Sequence, residues 1–341
     1  MVFEALYSMA LQLKKQLLYP IALLALMLLA LPIVYFFTPT TQRRLLERLV
    51  VVPCGVGAEA VADARRLFAW QSIGIASVDP NLWGLQRYEG SDLVKGYARA
   101  ACVPGGPLYF ETRLHADIGL NPWDVVAYHE VIYGLKPWGV DPTHPAPREP
   151  LVLPLRVAEL PRVVALASFS IGNASTGFNI AYDLWLKRRP DTSGAKQGDM
   201  EVMVWLHWRN ATPAGIPVKV FEVPTVVNGK LEKLNWSAWL QRSVGEGWVY
   251  IAFTPPEPLS GEVAVDLSHF VGLAGQVLRE ELGWARETVD NLYLMSVELG
   301  SEVFFSRSIS LSWRLDRYLL YAFHPWVKQE EALLEVAAEK R

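Results

Sequence analysis

The sequence predicts an all-β fold, either a sandwich or a barrel. Apolar or alternating runs with a period near two recur after residue 50: "LYFETRLHADIG", "VVALASFSIG", "IAYDLWL", "EVMVWLHW", "WVYIAFTP", "EVAVDLSHF" and "LYLMSVELGSEVFFSRSISLSW". Gly, Pro, Asn and Asp punctuate them, as expected for many short strands joined by turns. No repeat of about 20–50 residues is visible, which argues against a propeller or solenoid. The chain has 341 residues, 51% of them hydrophobic, enough for one large core over residues 41–325.

In chain order, residues 1–40 come first as a non-globular segment. Lys14 and Lys15 precede "LLYPIALLALMLLALPIVYFF", which carries no charge. That run has the length of a membrane span, about 20 residues. It exceeds the apolar region of about 7–15 residues in a cleaved signal peptide. A signal anchor is therefore favoured over a cleaved signal. Arg43, Arg44 and Arg48 follow at once and leave the orientation open. The remaining domain is expected outside the cytoplasm. Cys54 and Cys102 are the chain's two cysteines. In an exported domain they could form a disulfide, but sequence does not set the distance between their Cα atoms.

Further along, "KPWGVDPTHPAPREP" at 136–150 and "TPPEPLSG" at 254–261 read as Pro-rich loops. Residues 272–287 break the strand period. Val277, Leu278, Glu281 and Leu282 repeat at helical spacing, so one short external helix is expected there. Residues 326–341, "WVKQEEALLEVAAEKR", read as a charged, solvated helical tail.

Composition narrows the partners. The net charge is -3, from 32 basic against 35 acidic residues, which is no footprint for nucleic acid. With 13 Trp, 13 Tyr and 13 Phe, a neutral partner with flat apolar faces, such as a sugar, suits the chain better. Some familiar motifs fail. "HEVIY" at 129–133 has Tyr133 where a zinc-protease helix needs its second His, and "GVGAEA" at 55 lacks the Lys and Ser or Thr of a phosphate loop. No metal or other cofactor is expected.

Three strands mix acids into an otherwise dry pattern. Side chains two apart share a strand face. Glu201, Met203 and Trp205 therefore point one way and Val202, Val204 and Leu206 the other. Asp183 aligns with Trp185, and Glu298 with Gly300 and Glu302. A plain solvent face explains one such strand. Bulky Trp and Met beside an acid suit a sugar cleft better, and Gly300 would allow a ligand or another backbone to approach closely. A pair of carboxyls flanking a glycosidic bond is the machinery for its hydrolysis, provided one is protonated and the other ionised. Crowding them pushes their proton affinities apart.

Four stretches then carry a resemblance. "NLWG" at 81–84, "AYDLWL" at 181–186, "EVMVWL" at 201–206 and "YLMSVELGSE" at 293–302 are similar, in order, to segments of family 12 glycoside hydrolases. "AGIPV" at 214–218 resembles the stretch that follows the nucleophile strand there, and "HEVIYGLKPWG" resembles a segment of thermophilic members. The resemblance spans roughly residues 75–312 and implies a β-jelly roll of two antiparallel sheets. It implies Glu201 as nucleophile, Glu302 as general acid/base, and Asp183 as the acid that hydrogen-bonds the nucleophile. It implies Asn81 and Trp83 as a sugar-binding pair, Met203 and Trp205 as cleft floor, and Trp138 as a further stacking residue. Glu298 stands where many members have Gln, at a substrate-binding position, where its charge would raise the proton affinity of Glu302.

The expected function is a retaining endo-β-1,4-glucanase, monomeric, acting on β-glucan outside the cell and attached to the membrane by its N-terminal segment. Xyloglucan or mixed-linkage glucan is an alternative substrate. A non-catalytic carbohydrate-binding module or lectin is the alternative class, and a surface or adhesion protein a third reading.

Overall fold

The computed structural model of the protein describes residues 44–139 and 150–339. The apolar N-terminal segment and most of the Pro-rich loop at 136–150 lie outside the described residues. Among the described residues no helix is long and apolar enough to cross a membrane.

Strands β1 (Leu45–Val52), β2 (Ala58–Asp63), β3 (Gln71–Ser72) and β4 (Ser77–Asp79) are followed by a 3-10 turn, Trp83–Tyr88. Next come β5 (Val94–Cys102), β6 (Leu108–Ala116), β7 (Val125–Gly134) and the short β8 (Leu155–Arg156). The central run is β9 (Arg162–Ala174), β10 (Phe178–Lys187), β11 (Met200–Arg209), β12 (Ile216–Val227), β13 (Lys230–Val244), β14 (Trp248–Thr254) and β15 (Gly261–Asp266). Helices α1 (Leu267–Leu282) and α2 (Arg286–Asp290) precede β16 (Tyr293–Phe304) and β17 (Ser308–Phe323), and α3 (Gln329–Ala338) follows.

The strands pair into two layers. The outer layer runs β2–β5–β6–β17–β9–β15, with β1 on the second half of β17. The inner layer runs β14–β11–β10–β16–β7–β4–β3. The long β12–β13 hairpin joins them, β12 pairing with β15 and β13 with β14. This is a jelly-roll sandwich. Its core lies between the layers, where Val131, Tyr133, Tyr182, Val202, Val204 and Val297 meet Phe110, Ala165, Trp313 and Tyr318.

The pairing is not antiparallel throughout. β11 and β14 run parallel, because the chain between them passes through the β12–β13 hairpin before returning. The helix also begins earlier than its periodicity suggests. Asp266, the last residue of β15, accepts the His269 backbone N–H at 3.0 Å and caps α1, so "LSHF" forms its first turn. Gly283, at φ 68°, ends it in the left-handed conformation that glycine adopts without strain. Residues beyond it form the separate helix α2. Cys54 and Cys102 are joined by a disulfide with Cα atoms 6.6 Å apart, tying the β1–β2 connection to the end of β5.

The C-terminal tail is a helix, but it is not solvated all round. Ala332, Leu333 and Val336 of α3 are buried against Val164, Leu166, Val226, Tyr321 and Phe323 on the outer layer. Spacings of one, three and four residues put these on one face, and the charged residues take the other.

Candidate active site

The inner layer presents its second face away from the core, and the expected acids converge there. Residues directly opposite in an antiparallel ladder share a face. On β10, Trp185 lies opposite Glu201 of β11 and opposite Ser296 of β16. Counting by twos from Ser296 places Glu298, Gly300 and Glu302 on that same face. Glu201 and Glu302 thus stand on the two strands that flank β10, on one side of the sheet.

Each carboxyl has a dedicated partner. Trp248 of β14 donates its indole N–H to Glu201 Oε2 at 2.7 Å. Asn179 of β10 clamps Glu302 twice: its Oδ1 accepts the Glu302 backbone N–H at 2.8 Å, and its Nδ2 donates to Glu302 Oε2. Burial raises the Glu201 carboxyl to about 8. The Trp248 bond opposes this, while the charges of Glu302 and Glu298 add to it. Burial likewise raises Glu302 to about 7, against the pull of Asn179. Both acids therefore hold protons near neutrality, and an ionised Glu302 makes ionisation of Glu201 harder.

Asp183 is close to Glu201 but does not have the expected role in full. It pairs in register with Met203, so Glu201 is its diagonal neighbour, a spacing of about 7–8 Å between Cα atoms. A short Asp side chain feels that charge without reaching it. Its Oδ1 is buried with no hydrogen-bond partner. Its carboxyl is raised well above the usual range by burial and then by the charges of Glu201 and Glu298. Glu201 takes its hydrogen bond from Trp248 instead.

Three further expectations need correction. Met203 and Trp205 share the cleft face, but each is only 1% exposed. They pack with Tyr128, Ala181, Tyr250 and Phe304 and form a layer beneath the surface rather than its floor. Asn81 is buried rather than open on the cleft surface; one amide N–H is bonded to Glu130 Oε1 at 2.6 Å, while its Oδ1 has no hydrogen-bond partner. Glu298 is fully buried. It accepts from Lys136 Nζ at 2.9 Å and Ser296 Oγ at 2.8 Å, and its charge reaches Asp183 and Glu201. The close approach foreseen at Gly300 is to protein. An added Cβ would lie 2.2 Å from the His129 carbonyl oxygen and 2.8 Å from the Tyr128 ring.

Trp83 is 45% exposed and Trp138 47% exposed, each free to offer a face. Trp138 is held edge-on by Trp185, with ring centres 4.5 Å apart, and by Trp248 at 5.9 Å. Since Trp248 also bonds Glu201, this cluster links a stacking platform to a carboxyl. Trp248, Asn179, Tyr250 and Lys136 escape the sequence reading. Tyr250 lies in parallel register with Glu201, and its hydroxyl donates to Met203 Sδ at 3.4 Å. Its hydroxyl is held well above the usual range by burial and then by the charges of Glu302, Glu201 and Asp183. "HEVIY" lies in β7, where alternation sends His129 into the core beside Thr112 and Glu130 to the opposite face.

Comparison with known proteins agrees with this geometry. The model of the family described as "Glycosyl hydrolase family 12" matches residues 75–319. A relative named "Endoglucanase S", from Pectobacterium parmentieri, is 26% identical over 152 residues, covering 45% of this chain and 52% of that protein. This chain therefore spans about half the length of that relative. Among solved structures, a metagenome-derived glycoside hydrolase family 12 endoglucanase superposes with a TM-score of 0.56 at 22% identity, over 79% of this chain and 99% of that one. A native family 12 xyloglucanase from Bacillus licheniformis gives 0.55 at 18% identity, over 76% and 98%. At these identities the structural likeness speaks for the fold.

Proposed function

Because this chain belongs to glycosyl hydrolase family 12, we propose that it is a retaining endo-β-1,4-glucanase in which Glu201 and Glu302 perform a double displacement. One observation carries the reading. The two carboxyls face the same side of the inner sheet from strands flanking β10, and Glu201 feels the charge of Glu302. Glu201, ionised, attacks the anomeric carbon while Glu302 gives its proton to the leaving oxygen. Glu302 then takes a proton from water, which releases the glycosyl group from Glu201. The working state is the pair sharing one proton, with that proton on Glu302. Burial in the free protein favours the reverse order, Glu201 about 8 against Glu302 about 7, so the reactive form is the minor tautomer of the coupled pair. At lower pH both are protonated and no nucleophile exists; at higher pH neither is, and the acid is lost.

Trp138 and Trp83 serve as stacking surfaces for pyranose rings in this reading, and Asp183 sets the charge around Glu201. The name of the Pectobacterium relative supports an endo-acting glucanase. The uncharged run at residues 17–37 behind Lys14 and Lys15 supports display outside the cytoplasm. A non-catalytic sugar-binding module would have no use for two clamped, facing glutamates.

Reducing-sugar release from carboxymethylcellulose, mixed-linkage glucan and xyloglucan tests the activity and ranks the substrates. Glu201→Ala and Glu302→Ala should each lower kcat by about a thousandfold or more. Near wild-type rates in both would remove these residues from the chemistry. Proton NMR of early products should show the β-anomer first, and an α-anomer appearing first would exclude retention.

A further inference from the structure

A row of acids crosses the inner sheet on the cleft side. Asp79 of β4 lies opposite Glu130 of β7, and Glu130 opposite Gly300 of β16. Glu298, two residues from Gly300, lies opposite Asp183 of β10, which neighbours Glu201 diagonally. A positive charge enters this row from Lys136, which follows β7. Its Nζ bonds Glu130 Oε2 and lies 2.9 Å from Glu298 Oε2. The Lys136 side chain is 10% exposed and both glutamates are fully buried. Asn81 and Ser296 occupy the two remaining carboxyl oxygens. Both glutamates are fully buried, so neither offers an oxygen to a substrate at the surface.

The field of this network extends beyond it. The charge of Lys136 favours the ionised forms of Asp183 and Glu201, and that of Glu298 opposes them. We propose that Lys136 and Glu298 form a positioning pair whose opposed charges act on Asp183 and Glu201 and set the pH at which the hydrolytic pair works. This rests on the hydrolase reading above. The other groups facing Glu201 are the Trp248 N–H and Tyr250 from β14 and Glu302 from β16. Those facing Lys136 are Glu130, Asp79, Asp183 and the Tyr128 ring, whose centre is 5.9 Å from Nζ. Several of these respond to the pair as well: the Lys136 charge lowers the proton affinity of Glu130, Asp79 and Asp183, and that of Glu298 raises it at Glu130, Asp183 and Tyr128.

The charges of the two members act with opposite sign, which a purely structural role would not produce. The test is the pH profile of kcat/KM on soluble mixed-linkage glucan for the full chain and its variants. Glu298→Gln keeps the size and the Ser296 contact, and should move the optimum down by roughly half to one pH unit. Lys136→Met should move it up by a similar amount, and the double variant should return it towards wild type. Unmoved optima, or shifts of the same sign in both single variants, overturn the proposal. If Lys136→Met does not fold, Glu298→Gln decides alone: an unmoved optimum is a refutation. A wild-type chain that hydrolyses none of the glucans fails the hydrolase reading instead, which keeps the two failures apart.

Discussion

Glu201 and Glu302 bind protons more tightly than an exposed glutamate near 4.5, because their surroundings solvate a carboxylate poorly. That has a consequence for stability. The folded state holds these protons where the unfolded chain does not, so the contribution is full below about pH 4.5. It is lost as pH rises through about 7 for Glu302 and about 8 for Glu201. Glu201→Gln should therefore raise Tm over wild type at pH 8, by roughly 2–4 °C per kcal/mol relieved, and leave it unchanged at pH 4. Calorimetry of both proteins at the two pH values checks this, and equal gains at both would contradict it. Trp248→Phe removes the N–H that favours ionised Glu201 and keeps one aromatic ring against Trp138 and Trp185. It should lower kcat/KM roughly tenfold at pH 6, the cost of one charge-assisted hydrogen bond, and move the optimum upward. The acids were legible in the sequence because a carboxylate inside a period-two apolar run is conspicuous. Trp248, Asn179 and Lys136 were not, because an indole, an amide and an ammonium in ordinary positions reveal nothing until a partner strand delivers a carboxyl to them.

At the scale of elements, strands were read more surely than helix limits. Period two survives any neighbour, whereas α1 is set by a cap at Asp266 and a stop at Gly283 that its hydrophobic stripe does not contain. The tail shows the opposite problem. Charge density suggested a solvated helix, yet Ala332, Leu333 and Val336 seal the outer layer. Leu333→Ala should cost about 2–4 kcal/mol, measured by urea unfolding, whereas a change within about 0.5 kcal/mol would mark α3 as dispensable. The disulfide closes a loop 48 residues long between β1 and the end of β5. Replacing both cysteines with Ser should lower stability by about 4 kcal/mol on the chain-entropy account, read from the same unfolding curves.

For the whole molecule, the sandwich separates two tasks. One face of the inner layer fills the core, and the other holds the acids and, through Trp185 and Trp248, the exposed Trp138. A ligand bound across that face stabilises the folded state by mass action. The Glu201→Gln variant at 100 times the Kd of a cello-oligosaccharide should gain about 2.7 kcal/mol, seen as a concentration-dependent rise in Tm. A Tm that ignores the oligosaccharide would separate this face from glucan binding.

The amino-acid sequence by itself determined the all-β class and the faces of the strands, since alternation is a local property of consecutive residues; the choice of Glu201 and Glu302 among the acids was what the family resemblance implied. Only the tertiary structure decided which acids are clamped, which are sealed beneath the cleft with Lys136, and that the tail belongs to the sandwich. Those outcomes depend on the register between distant strands. A side chain's burial and its partner are fixed by the strand beside it, not by its neighbours along the chain.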